Sequence, residues 1–264
     1  MTDITVLADN EVVDPSPAGL RGEWGFAAAV GDVLFDAGQT GVVPANAARL
    51  GVDIGETVVL SHGHYDHTGG LDAVLARLDD PTVYCHPDVW TDRYRDDETR
   101  RHIGMPYTRS AVADRATIVE HRDPVEVGDR VHALGEIPRS HEDAAVGLVE
   151  TDDGFAADRV PDDQALAVET DDGLGVVLGC GHAGLRNTVE YAESVLGDDV
   201  RYVVGGTHLV AYEEPAVRDL ADRLSDRLDL FAGTHCTGAT AKRILAERVP
   251  VAFERVGVGS TVSI

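Results

Sequence analysis

Lysine is almost missing from this chain: Lys242 is the only one in 264 residues, so arginine carries nearly all of the positive charge. There is little of that charge, because 47 acidic residues against 22 basic ones leave a net charge of −25. Such a surface repels polyanions, and nucleic-acid binding is not expected. Cysteine is scarce and odd in number, with Cys85, Cys180 and Cys236 and no Cys-x-x-Cys pair. That argues against a disulfide framework and fits a reducing interior. No apolar run approaches the roughly 20 residues that a membrane-spanning helix needs. The opening Met1-Thr2-Asp3-Ile4 lacks the basic-then-apolar character of a secretory signal. The expectation is a cytoplasmic protein with no membrane contact.

What is present is enough for a substantial core, since 43% of the residues are hydrophobic. We expect a single domain over residues 1–264. Acidic clusters (Asp79-Asp80, Asp96-Asp97-Glu98, Asp152-Asp153, Asp162-Asp163, Asp171-Asp172, Asp198-Asp199) are spread along the chain and read as a solvated outer surface. Apolar β-rich runs predict hairpins over 26–35 and 165–178 and further strands at 4–7, 83–85, 117–120, 125–127 and 131–134. Helical spacing predicts helices over 43–50, 70–78 and 184–196. Strands clustered with helices between them in two similar halves predict an α/β fold, two mixed sheets face to face with helices outside. The glycine-rich segment 18–25 is expected over the mouth of a site. Residues 88–115 have no clear period and read as an inserted cap, and 141–163 as an acidic loop.

The chemistry concentrates in Ser61-His62-Gly63-His64-Tyr65-Asp66-His67-Thr68-Gly69-Gly70, which sets three histidines and an aspartate within six positions. It follows the apolar run Thr57-Val58-Val59-Leu60, a short buried strand. Imidazole and carboxylate together suit zinc and its first-row neighbours. His62 and His64 can project to one side of an extended segment, while Asp66 and His67 follow the bend and can face a second ion. Three later strands also run into histidine-bearing turns: Gly179-Cys180-Gly181-His182, Gly205-Gly206-Thr207-His208 and Gly233-Thr234-His235-Cys236. Histidine recurring at strand ends points to one convergent site. His141 competes for the place of a third ligand, and Arg139 beside it could meet an anionic substrate; both also read as exposed loop residues. His86 reads as structural or substrate-facing.

The pattern H-x-H-x-D-H resembles the signature of the metallo-β-lactamase superfamily, and Val33-Leu34-Phe35-Asp36-Ala37-Gly38 is similar to the strand-Asp-x-Gly segment that precedes it there. The three downstream histidine turns resemble a branch that includes the 7,8-dihydropterin-6-methyl-4-(β-D-ribofuranosyl)aminobenzene-5′-phosphate synthases of methanopterin biosynthesis. The resemblance runs from about Ile4 to the C-terminus. It implies a four-layer αβ/βα sandwich with the site at one edge between the sheets. It also implies two divalent ions, zinc first among the candidates, with manganese, magnesium and iron as alternatives. His62, His64 and His182 would hold the first, and Asp66, His67 and His235 the second, with Asp66 also the candidate catalytic residue. Asp36 would orient the metal loop by hydrogen bonding, and His208 would touch substrate. Many members bridge the ions with an aspartate in the second half. No aspartate stands at that place here, and Cys180 is the nearest candidate; a bridging water or a single ion stays open.

The resemblance therefore implies an enzyme acting on a phosphorylated or otherwise anionic small molecule, by metal-assisted hydrolysis or by diphosphate-displacing transfer. An esterase, lactonase or phosphodiesterase of the same fold is the alternative, and a non-catalytic metal-binding protein comes last. Diiron oxygen or nitric oxide reductases of the superfamily place Glu where His64 stands, which disfavours redox chemistry. The acidic composition also resembles that of proteins adapted to concentrated salt. Oligomeric state is left open.

Overall fold

Runs such as Leu174–Leu178 and Asp3–Ala8 are apolar at consecutive positions, so both faces of their sheets must be covered. In the computed structural model, which describes residues 1–13, 16–141, 143, 145–249 and 252–264, both runs are buried apart from Asp3. Seven strands form the first sheet, in the order Thr261–Ser263, Asp3–Ala8, Ala27–Val30, Val33–Phe35, Thr57–Val59, Thr82–Cys85 and Thr117–Glu120. Pairing is antiparallel as far as Val33–Phe35 and parallel beyond it. The second sheet has six strands: Leu230–Thr234, Val200–Gly206, Leu174–Leu178, Ala165–Glu169, Val131–Ala133 and Val125–Gly128. It too is mixed, with two parallel and three antiparallel pairings.

Parallel neighbours need crossovers, and helices supply several of them. Val42–Leu50 crosses within the first sheet, and Leu185–Leu196 and Glu214–Leu224 cross within the second. One buried cluster draws on both sheets (Val6, Phe35 and Val59 with Leu166, Val177 and Val204) and is the seam between them. Two further clusters lie between each sheet and its own helices. The layers are thus helix, sheet, sheet, helix, as the four-layer expectation requires.

The structure departs from the sequence reading in three places. The helix expected over 70–78 ends at Leu75, because the amides of Asp79 and Asp80 are taken by the Glu56 carboxylate at 3.3 and 3.1 Å. The expected acidic loop over 141–163 contains a hairpin, Leu148–Thr151 with Gly154–Ala157, which pairs with Arg93–Tyr94 in a small third sheet. Glu142, in that stretch, lies outside the described residues. Finally, Asp162 and Asp163 are not surface acids: they are 0% and 1% exposed.

Candidate metal centre

Each histidine turn leaves the carboxyl end of a parallel strand, the end where open α/β sheets place their ligands. Thr57–Val59 leads into His62 and His64, and one helical turn, Tyr65–Thr68, then carries Asp66 and His67. Leu174–Leu178, Val200–Gly206 and Leu230–Thr234 deliver Cys180 with His182, then His208, then His235. Gly63 between the first two histidines is obligatory, since a Cβ there would run into the Val89 carbonyl oxygen. Asp36, His208 and His235 have φ angles of 62°, 50° and 44°. Left-handed backbone is uncommon outside glycine and collects at sites where the surroundings over-determine it.

The side chains converge. Ligand atoms of His62, His64 and His182 lie within 4.8 Å of one another, and so do those of Asp66, His67 and His235. His62 Nε2 faces His64 Nδ1 at 3.0 Å, and Asp66 Oδ2 lies 3.6 Å from His235 Nε2. Cys180 Sγ is 3.2 Å from His67 Nε2 and also groups with His62, with His182 and with His235, so its sulfur sits between the two triads.

This donor set fits divalent ions. Burial, helped by the neighbouring histidines and Arg93, pushes His62 well below the ordinary imidazole range, and burial lowers His64 to about 3. Both rings are therefore neutral, the form that binds metal. His64 Nε2 is buried with no hydrogen-bond partner among the described residues. Burial acts to raise the Asp66 carboxyl, but His67, His235 and His64 outweigh it and keep it ionised. Burial raises the Cys180 thiol; Cys236 is equally buried, yet Cys180, His235 and His208 hold it well below the usual range.

Residues behind the cluster aim it. Asp36 accepts from the Ser61 amide (2.7 Å), from Ser61 Oγ (2.8 Å) and from His67 Nδ1 (2.7 Å). Ser61 Oγ gives its proton to Asp36 and so accepts from His62 Nδ1 at 2.8 Å, which leaves the Nε2 lone pair for the cluster. Burial opposes charge on His67, but Asp36 prevails and raises it to about 9.

Asp9 and Asn10 hold His235: its amide donates to Asp9 at 2.7 Å, and its carbonyl and ring meet Asn10, each at 3.1 Å. Asp163 accepts from the Ala183 amide at 2.8 Å and reaches within 3.9 Å of His62 Nδ1. Asp162 accepts from the Gly63 amide at 2.8 Å and pairs with the buried Arg93. Burial lifts Asp162 to about 7 and Asp163 to about 6, despite the amides and, at Asp162, Arg93. The sequence reading passed over all of these except Asp36. Its available signal was Asp162-Asp163 lying directly before the buried strand Ala165–Glu169.

A cavity of about 290 Å³ opens above the cluster, floored by Asp66, Cys180, His182, His208 and His235. Its walls include Trp24, from the segment expected over the mouth, and residues of the small third sheet and its flanks. His208, expected to touch substrate, lines this cavity. Arg139 does not: Asp143 and the carbonyl of Val160 hold its guanidinium, and it lines a separate hollow with Arg122 and Glu136. His141 is no third ligand either, being 2.8 Å from Glu190. His86 caps the short helix Pro87–Trp90.

Two mixed sheets enclosed by helices, with a histidine–aspartate cluster at their strand ends, define the class: an enzyme fold of the metallo-β-lactamase kind. The chain belongs to the family described as the β-lactamase superfamily domain, whose model matches residues 12–157. An uncharacterized protein of Methanocaldococcus jannaschii is 29% identical over 233 residues, covering 85% of this chain and 86% of the relative. The 7,8-dihydropterin-6-methyl-4-(β-D-ribofuranosyl)-aminobenzene-5′-phosphate synthase of the same organism is 27% identical over 220 residues, 78% of this chain and 74% of its own. Among solved structures, Tm1679, a metal-dependent hydrolase of the β-lactamase superfamily, matches with a TM-score of 0.88 at 27% identity, over 100% of this chain and 99% of that one. Zinc-bound PqqB from Methylobacterium extorquens shares the fold at 11% identity, with a TM-score of 0.56 over 99% of this chain and 100% of its own.

Proposed function

We propose that this protein is a metal-dependent enzyme that cleaves or transfers a phosphate- or diphosphate-bearing group of a small molecule. The observation that carries this reading is the convergence of two ligand triads, with Cys180 between them, on the floor of one cavity. His62, His64 and His182 would hold one divalent ion and Asp66, His67 and His235 the other, zinc being the first candidate. When bound, the ions would supply Lewis acidity toward a phosphoryl oxygen and a nucleophile available at neutral pH.

The chain's own residues do the rest. Asp36 and Ser61 lock the rings of His67 and His62, so the donors are in place before a substrate arrives. Asp66 adds negative charge to the cluster, which would favour divalent over monovalent cations there. His208 lines the floor with its Nδ1 buried and unpaired among the described residues, and is placed to exchange a hydrogen bond with the substrate. The cavity volume suits a small molecule.

Hydrolysis is supported by the likeness to Tm1679, and transfer by the likeness to the dihydropterin synthase. A screen of phosphate esters, diphosphates, lactones and pterin diphosphates in concentrated salt, with and without an aryl amine acceptor, tests both. Release of phosphate or diphosphate that needs added metal is expected, and consumption of the acceptor would assign transfer. Turnover of neutral lactones or esters alone would overturn the phosphate reading.

A further inference from the structure

Cys236 is left over by the metal reading, and it stands against the one sulfur that reading uses. Cys180 lies in the turn after the strand Leu174–Leu178 and Cys236 in the turn after Leu230–Thr234, with Val200–Gly206 running between those two strands. Residues level with each other on next-but-one strands are held about 10 Å apart. Here the turns bend together instead: the Cys180 and Cys236 sulfurs lie within 4.8 Å of each other and of a His235 ring nitrogen. The Cys236 thiol donates to the Cys180 carbonyl at 3.4 Å, and the His208 amide donates to the Cys236 sulfur at 3.3 Å.

The approach is built into the strand between them. That strand ends in Gly206, where a Cβ would stand 2.2 Å from the Gly179 carbonyl oxygen and 2.9 Å from Cys236 Sγ. Any side chain there would part the two turns. Neither cysteine pairs in the sheet, so a last approach of the sulfurs breaks no ladder hydrogen bond. Both line the cavity above the ligand cluster, within reach of small solutes. Cys85, the third free thiol, is packed in the apolar cluster between the first sheet and its helices.

We propose that Cys180 and Cys236 are a redox pair: two-electron oxidation joins them in a disulfide, reduction reopens it, and the ligand cluster is thereby switched off and on. This names a regulation of the site described above and rests on that reading for its consequence. In the reduced protein Cys180 Sγ is 3.2 Å from His67 Nε2, between the two triads. Once bonded to Cys236 it has no proton to lose and cannot serve as a thiolate donor. The oxidant class is a peroxide. Hydrogen peroxide converts one thiol to a sulfenic acid and releases one water; the second thiol then displaces the hydroxyl, forming the S–S bond and releasing a second water. The two sulfurs lose two electrons and two protons in all, and the peroxide gains them.

The test treats folded protein, metal-free and zinc-loaded, with hydrogen peroxide, then counts thiols after denaturation and maps crosslinked peptides by mass. Metal-free wild-type protein should lose two of its three free thiols and yield a peptide pair joined through Cys180 and Cys236. C85S should form the same crosslink, whereas C180S and C236S should not. Zinc affinity of the oxidised protein should fall about tenfold or more, at least the loss that follows when a ligand's support is removed. Dithiothreitol should restore both the thiols and the affinity, and bound zinc should slow the crosslink. Absence of the crosslink in folded metal-free protein would overturn the proposal, as would a crosslink that forms equally fast with zinc present and leaves zinc affinity unchanged. The two ideas fail separately. Reduced protein that binds no metal yet forms the crosslink would sink the enzyme reading and keep the pair; protein that binds metal but forms no crosslink would sink the pair alone.

Discussion

Asp36 Oδ2 stands 2.7 Å from His67 Nδ1, with both side chains fully buried, and this pair turns the opposite ring nitrogen toward Cys180. The carboxylate lies outside the cluster yet sets the orientation and basicity of a donor inside it. Asp36→Ala should therefore lower metal affinity about 10- to 100-fold while leaving every donor present. Chelator competition measures this, and an unchanged affinity would mean that Asp36 only closes a turn.

Cys180 groups with members of both triads. Cobalt-substituted protein should show a thiolate-to-metal charge-transfer band that Cys180→Ser removes and Cys85→Ser does not, since Cys85 is buried away from the cluster. A band that survives Cys180→Ser but disappears in Cys236→Ser would move the sulfur ligand to the neighbouring turn.

Asp9 and Asn10 grip His235, whose φ of 44° is costly without them. If the proposed assignment holds, Asp9→Ala should weaken metal binding at Asp66, His67 and His235 about tenfold or more, while binding at the other triad stays unchanged. Stepwise metal titration by calorimetry would resolve the two events. Equal weakening of both would show a general loss of packing.

Forty-seven acidic residues against 22 basic ones make self-repulsion the dominant long-range term at low salt. The screening length falls from about 10 Å at 0.1 M salt to about 3 Å at 1 M. The melting temperature should rise by several degrees between dilute and molar potassium chloride. A flat profile would remove the salt-adaptation reading.

The candidate site residues could be picked out because their pattern is local: His62 to His67 form one uninterrupted motif behind a strand, and His182, His208 and His235 each follow an apolar run and a glycine. The sandwich was legible for a related reason, since strands buried on both faces read as continuous apolar runs. The supports were not. Asp9 and Asn10 reach His235 across more than two hundred residues, and no local period connects them. Asp162-Asp163 looked like any other acidic pair, and only the fold shows amides of Gly63 and Ala183 pointing at it. The third sheet escaped because Arg93–Tyr94 is two residues long, too short to show alternation. The helix Glu214–Leu224 went unassigned, its apolar positions set among Pro215 and a series of charges.

Metal stoichiometry by elemental analysis, on wild-type protein and on His64→Ala, tests the central claim most directly. Two divalent ions per wild-type chain are expected, with loss of at least one ion in the variant and a fall of about a hundredfold or more in any phosphate-releasing activity. Wild-type protein that takes up no divalent metal from a replete buffer, or a variant that keeps both ions and full activity, would contradict the account.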